Sequence, residues 1–251
     1  MHVVELWRHP VKSMQGESLD EAVLEDSGLF GDRRWGIVDA ETGKVLTARR
    51  VPPLLLASSR LTDAGVEVLL PDGTLLAAPS AHADDVLSKW IGRPVSLVPA
   101  ETFGAGTGEF FADATDDNSA IISWTMPAGR FVDALPLLVL TTASLRQGRD
   151  LHPDGAWETR RFRPNLVIDV DEDGFVEDAW CGRTVCIGTA VVQPVVPCER
   201  CTMVTRPQPG LDRDLDVFKT LARHHNSTFG VWTAVLTPGV VRVGDEITLA
   251  D

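Results

Sequence analysis

Short runs rich in β-branched and aromatic residues, each stopped by glycine, proline or aspartate, recur along nearly the whole chain. They leave room for little except a strand-built fold. The runs lie at Val3–Trp7, Trp35–Val38, Val66–Leu70, Val95–Val98, Leu137–Thr141, Leu166–Val170, Val185–Val192 and Val231–Leu236. Apolar runs of about 4–8 residues between turn formers have the length of strands and are short for helices. Asp39-Ala40-Glu41-Thr42-Gly43 and Pro71-Asp72-Gly73 supply hairpin chemistry, because Asp bonds its own backbone and Gly accepts positive φ. Three segments change period. Ala83–Ile91 places Val86, Leu87, Trp90 and Ile91 at helical spacing, Thr142–Gln147 is a short helix after a strand, and Asp214–His225 aligns Leu215, Phe218, Leu221 and Ala222. Asp212 or Asp214 is the cap available to the last of these. The apolar stripes read as core, since burial is what such a face is for. The expected class is mainly β, of α+β type, with a few short helices.

The stretch Glu101–Ala120 is poor in aliphatic residues and carries Gly104, Gly106 and Gly108, then Asp113, Asp116, Asp117 and Asn118. It is the best candidate for a linker between two β-rich lobes. Its Gly-Ala-Gly-Thr-Gly lacks the lysine and the glycine spacing of a phosphate loop.

Charge limits what the chain binds. A formal net charge of −13 over 251 residues opposes nucleic acid and anionic membranes as partners. No apolar run reaches the ~18 residues of a membrane helix. The opening Met1-His2-Val3-Val4-Glu5-Leu6-Trp7-Arg8 reads as a first strand rather than a signal peptide. A cytoplasmic location is therefore expected, with the four cysteines as thiols. Against the acidic background the arginines cluster at Arg33-Arg34, Arg49-Arg50, Arg160-Arg161-Arg163 and Arg200. If these converge in space, an acidic protein contains a local anion site; the alternative is a set of solvated surface arginines.

The cysteines sharpen the question. Cys198-Glu199-Arg200-Cys201 follows the apolar run Val191 to Val196 and precedes the breakers Arg206-Pro207-Gln208-Pro209-Gly210. A thiol at a strand end beside an arginine is where a soft metal or a reactive thiolate belongs, because neighbouring cations favour the thiolate. Three readings stand open: a redox dithiol, a zinc site with Cys181 and Cys186, or one working cysteine with a bystander. Cys-x4-Cys is wide for a zinc ribbon, and Ala179 to Val192 reads as strand with a kink at Gly182, which would point positions five apart to opposite faces. No helix follows Cys201, as a thioredoxin-like site would require.

Taken in order, several motifs resemble one family. Arg160-Arg161-Phe162-Arg163-Pro164-Asn165-Leu166-Val167-Ile168, Trp180, Ile187-Gly188, Cys198-Glu199-Arg200-Cys201, Phe229-Gly230 and Pro238-Gly239-Val240-Val241-Arg242-Val243-Gly244-Asp245 are similar to the MOSC domain. That domain is named for the C-terminal part of molybdenum-cofactor sulfurases. His9-Pro10-Val11-Lys12-Ser13, Asp32-Arg33-Arg34-Trp35 and Thr47-Ala48-Arg49 resemble the β-barrel domain that accompanies it in the mitochondrial amidoxime-reducing components and their bacterial relatives. The resemblance implies a MOSC-type β-barrel preceded by an N-terminal β-barrel, with the division at residues 1–115 and 116–251.

It also implies a cofactor, molybdenum held by molybdopterin. The family's protein ligand to the metal matches Cys201, while Cys198 matches a position that is not a ligand. Contacts to the pterin and its phosphate match Lys12, Ser13, Arg33, Arg163 and Asn165; Arg49 lies in a matching motif, and Asp133 matches an acidic residue close to the metal. So Cys201 and Asp133 are the expected catalytic residues. The residue types suit such a cofactor, because guanidinium forks and an ammonium meet a phosphate dianion, an amide meets ring edges, and a thiolate meets a soft metal. The implied activity is reduction of small N-hydroxylated compounds with electrons from an external protein donor of ferredoxin, cytochrome or flavin-reductase type. No iron–sulfur domain follows Asp251 and no pyridoxal-phosphate desulfurase precedes Met1, so the chain is expected neither to shuttle electrons nor to make persulfide by itself. Two other functions remain in competition, a carrier of persulfide or of the cofactor and a zinc-stapled binding module.

Overall fold

The strand sequences that are apolar at every position lie at the centre of the molecule. In the computed structural model, which describes residues 1–113, 116 and 118–250, Leu137–Thr141 is buried throughout and runs parallel to Leu166–Asp169. Burial on both faces is the condition under which parallel neighbours carry continuous apolar runs. These two strands sit within an eight-stranded sheet in the order Ile247–Ala250, Thr184–Ile187, Ala190–Glu199, Thr228–Thr237, Leu137–Thr141, Leu166–Asp169, His2–Arg8 and Glu17–Leu19. Apart from the central parallel pair its neighbours are antiparallel. Its core joins Val3, Leu6, Leu137, Leu166, Ile168, Val185 and Val231. The protein is thus mainly β, as the sequence pattern predicts.

Smaller sheets surround this one. Trp35–Asp39 pairs with Val95–Pro99, and Ser58–Thr62, Gly65–Leu69 and Leu75–Ala78 form a meander. With the helix Ala81–Ile91 they enclose a second core around Val11, Met14, Ile37, Leu54, Val68 and Leu87. Ser80 caps that helix by accepting from the Ala83 N–H, and Gly92 ends it in the left-handed conformation. The chain order does not separate the two lobes cleanly, since His2–Arg8 belongs to the large sheet and Glu21–Glu25 pairs with Gly239–Arg242. Of the expected boundary and linker, Ala114, Thr115 and Asp117 lie outside the described residues.

Three expectations need correction. Val185–Val192 is two strands, not one, because Gly188 turns the chain at φ +56, and a Cβ there would stand 2.4 Å from Val240 O and from Asp245 Oδ2. The segment before it is not strand either: Val176–Trp180 is a 3-10 turn. The stretch Glu101–Ala120 contributes a hairpin arm, Thr107–Phe111 pairing with Ile121–Thr125. Two of its glycines serve close approach, since a Cβ on Gly106 would meet Val45 Cγ2 at 2.8 Å and one on Gly108 would meet Met126 Cε at 2.5 Å. The helix expected at Thr142–Gln147 runs on to Leu151, and the last one spans Leu215–His224 with Asp214 as its cap.

Candidate functional site

The loops at one end of the large sheet bring together side chains far apart in sequence. Ser13, Arg33 and Arg163 all have positive φ (71°, 49° and 59°), a region that costs a non-glycine residue of order 1 kcal/mol or more. Of the described non-glycine residues only Asn226 and Ser227 share it. Arg163 stands where the short helix Thr159–Phe162 ends, at a left-handed position usually given to Gly or Asn. Arg33 is fixed from two sides, its N–H donating to His9 O at 2.8 Å and its carbonyl accepting from Phe131 N–H at 2.9 Å. Backbone strain at such positions persists where the surroundings over-determine it, and here it places both guanidinium groups on one cleft.

That cleft has a volume of 280 Å³ and is lined by Arg33, Arg49, Asp133, Arg163, Cys198, Arg200, Cys201 and Trp232, among others. A narrower recess of 60 Å³ shares Arg33, Arg49, Asp133, Arg163 and Trp232 with it and reaches Lys12, Ser13 and Asn165. Every expected site residue therefore borders one or both spaces. The four arginine clusters do converge, but by one member each: Arg33, Arg49, Arg163 and Arg200. Their neighbours do other work. Arg34 pairs with Glu25 and Glu101, Arg160 with Glu158, and buried Arg161 donates to the carbonyls of Ala156, Val204 and Asp212.

Charge is distributed unevenly around the cleft. Asp133 accepts from Lys12 Nζ at 2.6 Å and from Arg49 Nη2 at 2.7 Å, and Lys12 also donates to Phe131 O at 2.8 Å. Burial alone would raise the Asp133 carboxyl, yet the two cations, Arg49 foremost, hold it far below the usual carboxylate range. Arg49 is raised in turn, by Asp133 first and by Cys201 as well. Lys12 is lowered, burial outweighing the pull of Asp133. Arg163 has no such partner. It donates to Met14 O at 2.5 Å and, among the described residues, makes no ion pair. Burial, then Arg33 beside it, pulls it down to about 9, which leaves it charged at neutral pH. Arg33 is matched by buried Asp32.

The two cysteines of the loop differ. Cys198 is buried at the end of Ala190–Glu199, where Arg200 Nη1 donates to its Sγ at 3.1 Å, and burial pushes its thiol up despite that contact. Cys201 is half-buried, starts the 3-10 turn Thr202–Thr205, and lies on the cleft. Arg200 anchors the loop further through Nη2 to Phe162 O at 2.7 Å and its own N–H to Ser227 O at 2.7 Å. Among the described residues no three His, Cys, Asp or Glu side chains gather as metal ligands, so Cys181 and Cys186 do not complete a zinc site with this pair.

Some roles differ from what residue type alone indicates. The Asn165 amide is already engaged, its Oδ1 accepting from Leu138 N–H at 3.1 Å and its Nδ2 donating to Trp7 O at 3.2 Å. The Ser13 hydroxyl accepts from Ala48 N–H at 2.9 Å. Both hold the walls of the recess. Sequence reasoning missed His9, which is 1% exposed with Nδ1 unpartnered and is kept neutral by burial and by Arg163 and Arg33. Its place in His9-Pro10-Val11-Lys12-Ser13 was the only signal. It also missed the hairpin Thr107–Phe111/Ile121–Thr125, whose Trp124 lies under Lys12 Nζ and against Phe110.

A buried, unmatched guanidinium beside a neutral imidazole is a place for an anionic group, and a half-buried thiol on the same cleft is a soft donor. That donor set fits a phosphate-bearing cofactor carrying a soft metal.

The comparisons with known proteins agree on the class. Residues 1–113 match the MOSC N-terminal beta barrel domain and residues 128–248 match the MOSC domain. The chain belongs to the MOSC family. Over 98% of its length it is 28% identical to "Mitochondrial amidoxime reducing component 2" of Homo sapiens, covering 82% of that protein, and 26% identical to "Mitochondrial amidoxime-reducing component 1" of Mus musculus with the same coverage. "Molybdenum cofactor sulfurase" of Solanum lycopersicum is 24% identical over 95% of this chain, which spans 34% of that longer protein.

Proposed function

We propose that this protein binds molybdopterin-held molybdenum and reduces small N-hydroxylated compounds with electrons delivered by a separate carrier. The observation that carries the reading is Arg163, a buried cation with no carboxylate partner on the same cleft as the thiol of Cys201. The likeness to amidoxime-reducing components over nearly the whole chain supports the substrate class. Arg33 and Arg163 would hold the cofactor's phosphate, Cys201 its metal, and Lys12, Ser13 and Asn165 the walls around the pterin.

When bound, the cofactor supplies the two-electron chemistry that removal of an oxygen atom requires. An amidoxime plus two electrons and two protons gives an amidine and water. Asp133 is held ionised by Lys12 and Arg49, so at neutral pH it acts as a fixed negative charge and not as the proton donor. Its role at the site is to hold Arg49, which also borders Cys201 on the cleft. Burial of Lys12 and Arg163 keeps the site low in dielectric, where these fixed charges act strongly.

The test is analysis of freshly purified protein for molybdenum and pterin, followed by assay of an aryl amidoxime with a reduced viologen as donor. Molybdenum with viologen-driven amidine formation is the expected result. Protein containing molybdenum yet inert with viologen would overturn the reductase reading, and sulfane sulfur without metal would indicate a persulfide carrier.

A further inference from the structure

The turn that follows the last helix is bonded to the cysteine loop. Leu215–His224 runs on into His225-Asn226-Ser227-Thr228, in which Asn226 and Ser227 stand at φ 48° and 61°. Two successive non-glycine residues in that region are costly, and such a turn persists only where its surroundings over-determine it. The turn presents the Ser227 carbonyl, which accepts from Arg200 N–H at 2.7 Å, next to the ladder pairing of Thr228 with Glu199. Cys201 is the next residue along the loop. We propose that His225 is a positioning residue, an imidazolium clamp that keeps this turn closed and so seats the loop that carries Cys201. The inference concerns how the loop is held, and it stands or falls apart from what Cys201 binds.

The bonds around the ring call for two donors. Nδ1 lies 2.9 Å from Thr228 O, and Nε2 lies 2.8 Å from Asp178 Oδ2. A carbonyl and a carboxylate only accept, and the Thr228 hydroxyl near Nδ1 spends its hydrogen on His225 O at 2.8 Å. Only the protonated ring carries an N–H on both nitrogens. Phe175 stacks on it with centroids 3.6 Å apart and planes 11° from parallel, and an aromatic face favours a cation. Asp178 depends on the clamp in turn. Among the described residues His225 is the partner of its Oδ2, and its Oδ1 is buried with none. Partial burial would lower the imidazole, but the bond to Asp178 first, then Thr228 O and the charges of Asp178 and Glu177, raise it above its ordinary 6.5. Both carboxyls come from the 3-10 turn Val176–Trp180. The other charged groups nearby are exposed or committed. Arg223 and His224 on its own helix and residues 171–173 before Phe175 are exposed, while Arg146 and Arg149 of Thr142–Leu151 donate to carbonyls. Thr228–Thr237 and Thr202–Thr205 carry no charge.

Amide hydrogen exchange resolved by residue, with the His225 ring followed by NMR from about pH 5 to 9, tests this. A histidine raised in the folded state contributes fully below about pH 6.5, and its contribution is lost as pH rises through the folded value. Protection of Arg200 N–H, corrected for intrinsic exchange, should therefore fall about tenfold across a step above pH 6.5, the size expected when a charge-assisted hydrogen bond is lost. The Ala48 N–H, bonded to Ser13 and not to this turn, should show no step. His225→Gln cannot donate at both places and should show the low Arg200 protection at every pH. Asp178→Asn keeps an acceptor but removes the charge, so it should move the step to lower pH. A ring titrating at or below its ordinary value, an Arg200 step that is absent or unmoved in Asp178→Asn, or an equal step at Ala48 would overturn the proposal.

Discussion

Two walls of one cleft handle buried charge in opposite ways. On one, Lys12 and Arg49 converge on Asp133, and the three groups satisfy one another at 2.6 and 2.7 Å. On the other, Arg33 is matched by Asp32 while Arg163 is left with carbonyl contact alone. The first is a finished ion-pair cluster whose removal should be felt in stability. The second is unfinished within the protein and should be felt in binding. Burying a cation without a partner is costly, so a fold that does so at a strained backbone position has reserved the place for a ligand of opposite sign.

The largest effect expected lies between the walls. Cys201→Ser should abolish molybdenum retention, because a hydroxyl is a far poorer ligand for a soft metal than a thiolate, whereas Cys198→Ser should keep most of it. Metal content per chain after purification checks this, and equal loss in both would point to a dithiol site. Asp133→Asn should lower stability by about 2 kcal/mol in a urea titration. That is less than the 3–5 kcal/mol of a fully buried pair, because a third of the Asp133 side chain is exposed. The effect should depend on pH. Asp133 is depressed in the folded state, so its contribution is complete above its unfolded value near 4 and is lost as pH falls toward the folded one. The stability gap between wild type and Asp133→Asn should therefore narrow from about pH 4 downward.

Arg163→Gln sharpens the contrast. Without ligand its stability should stay within about 1 kcal/mol of wild type, since a buried like-charge contact with Arg33 is removed along with one hydrogen bond. Its retention of pterin should nevertheless fall at least tenfold. Stability loss matching that of Asp133→Asn would erase the distinction between the walls. The smallest effect is at Ser13. Ser13→Ala should cost about 1 kcal/mol through the lost contact to Ala48 N–H, and Ser13→Gly should come closer to neutral because relief of the positive φ offsets that loss.

Much of this was legible in the sequence, for definite reasons. The strands of the large sheet were readable because Leu137–Thr141 and Leu166–Asp169 are apolar on both faces, and a period-two or continuous run survives in sequence. The clusters that hold Arg33, Arg49, Arg163 and Arg200 stood out on an acidic background, but the sequence left open whether they meet, and the cleft brings one member of each together. What stayed hidden was conformational or long-range. Gly188 looked like a residue within a strand, and only its φ of +56° in the folded chain shows the turn. The hairpin near Cys201 looked like a linker because glycines are read locally as flexibility, when Gly108 and Gly106 serve close packing against Met126 and Val45. Nor does residue type tell that the amide of Asn165 is spent on the backbone of Trp7 and Leu138.

The pairing of His2–Arg8 with Leu166–Asp169 has a further consequence, one of timing. His2–Arg8 meets Glu17–Leu19 along one edge almost at once, but the partner of its other edge is made only after some 160 more residues, roughly 8–30 s later at ordinary rates of synthesis. Until then the ladder N–H and C=O groups of that second edge are open to any other extended chain. Glu21–Glu25, paired early with Gly28–Leu29, waits longer still for Gly239–Arg242 on its other edge. Nascent chains of this protein therefore carry two strands each with one edge unpaired for most of the interval, and their yield in a cell will depend on what shields those edges in the meantime.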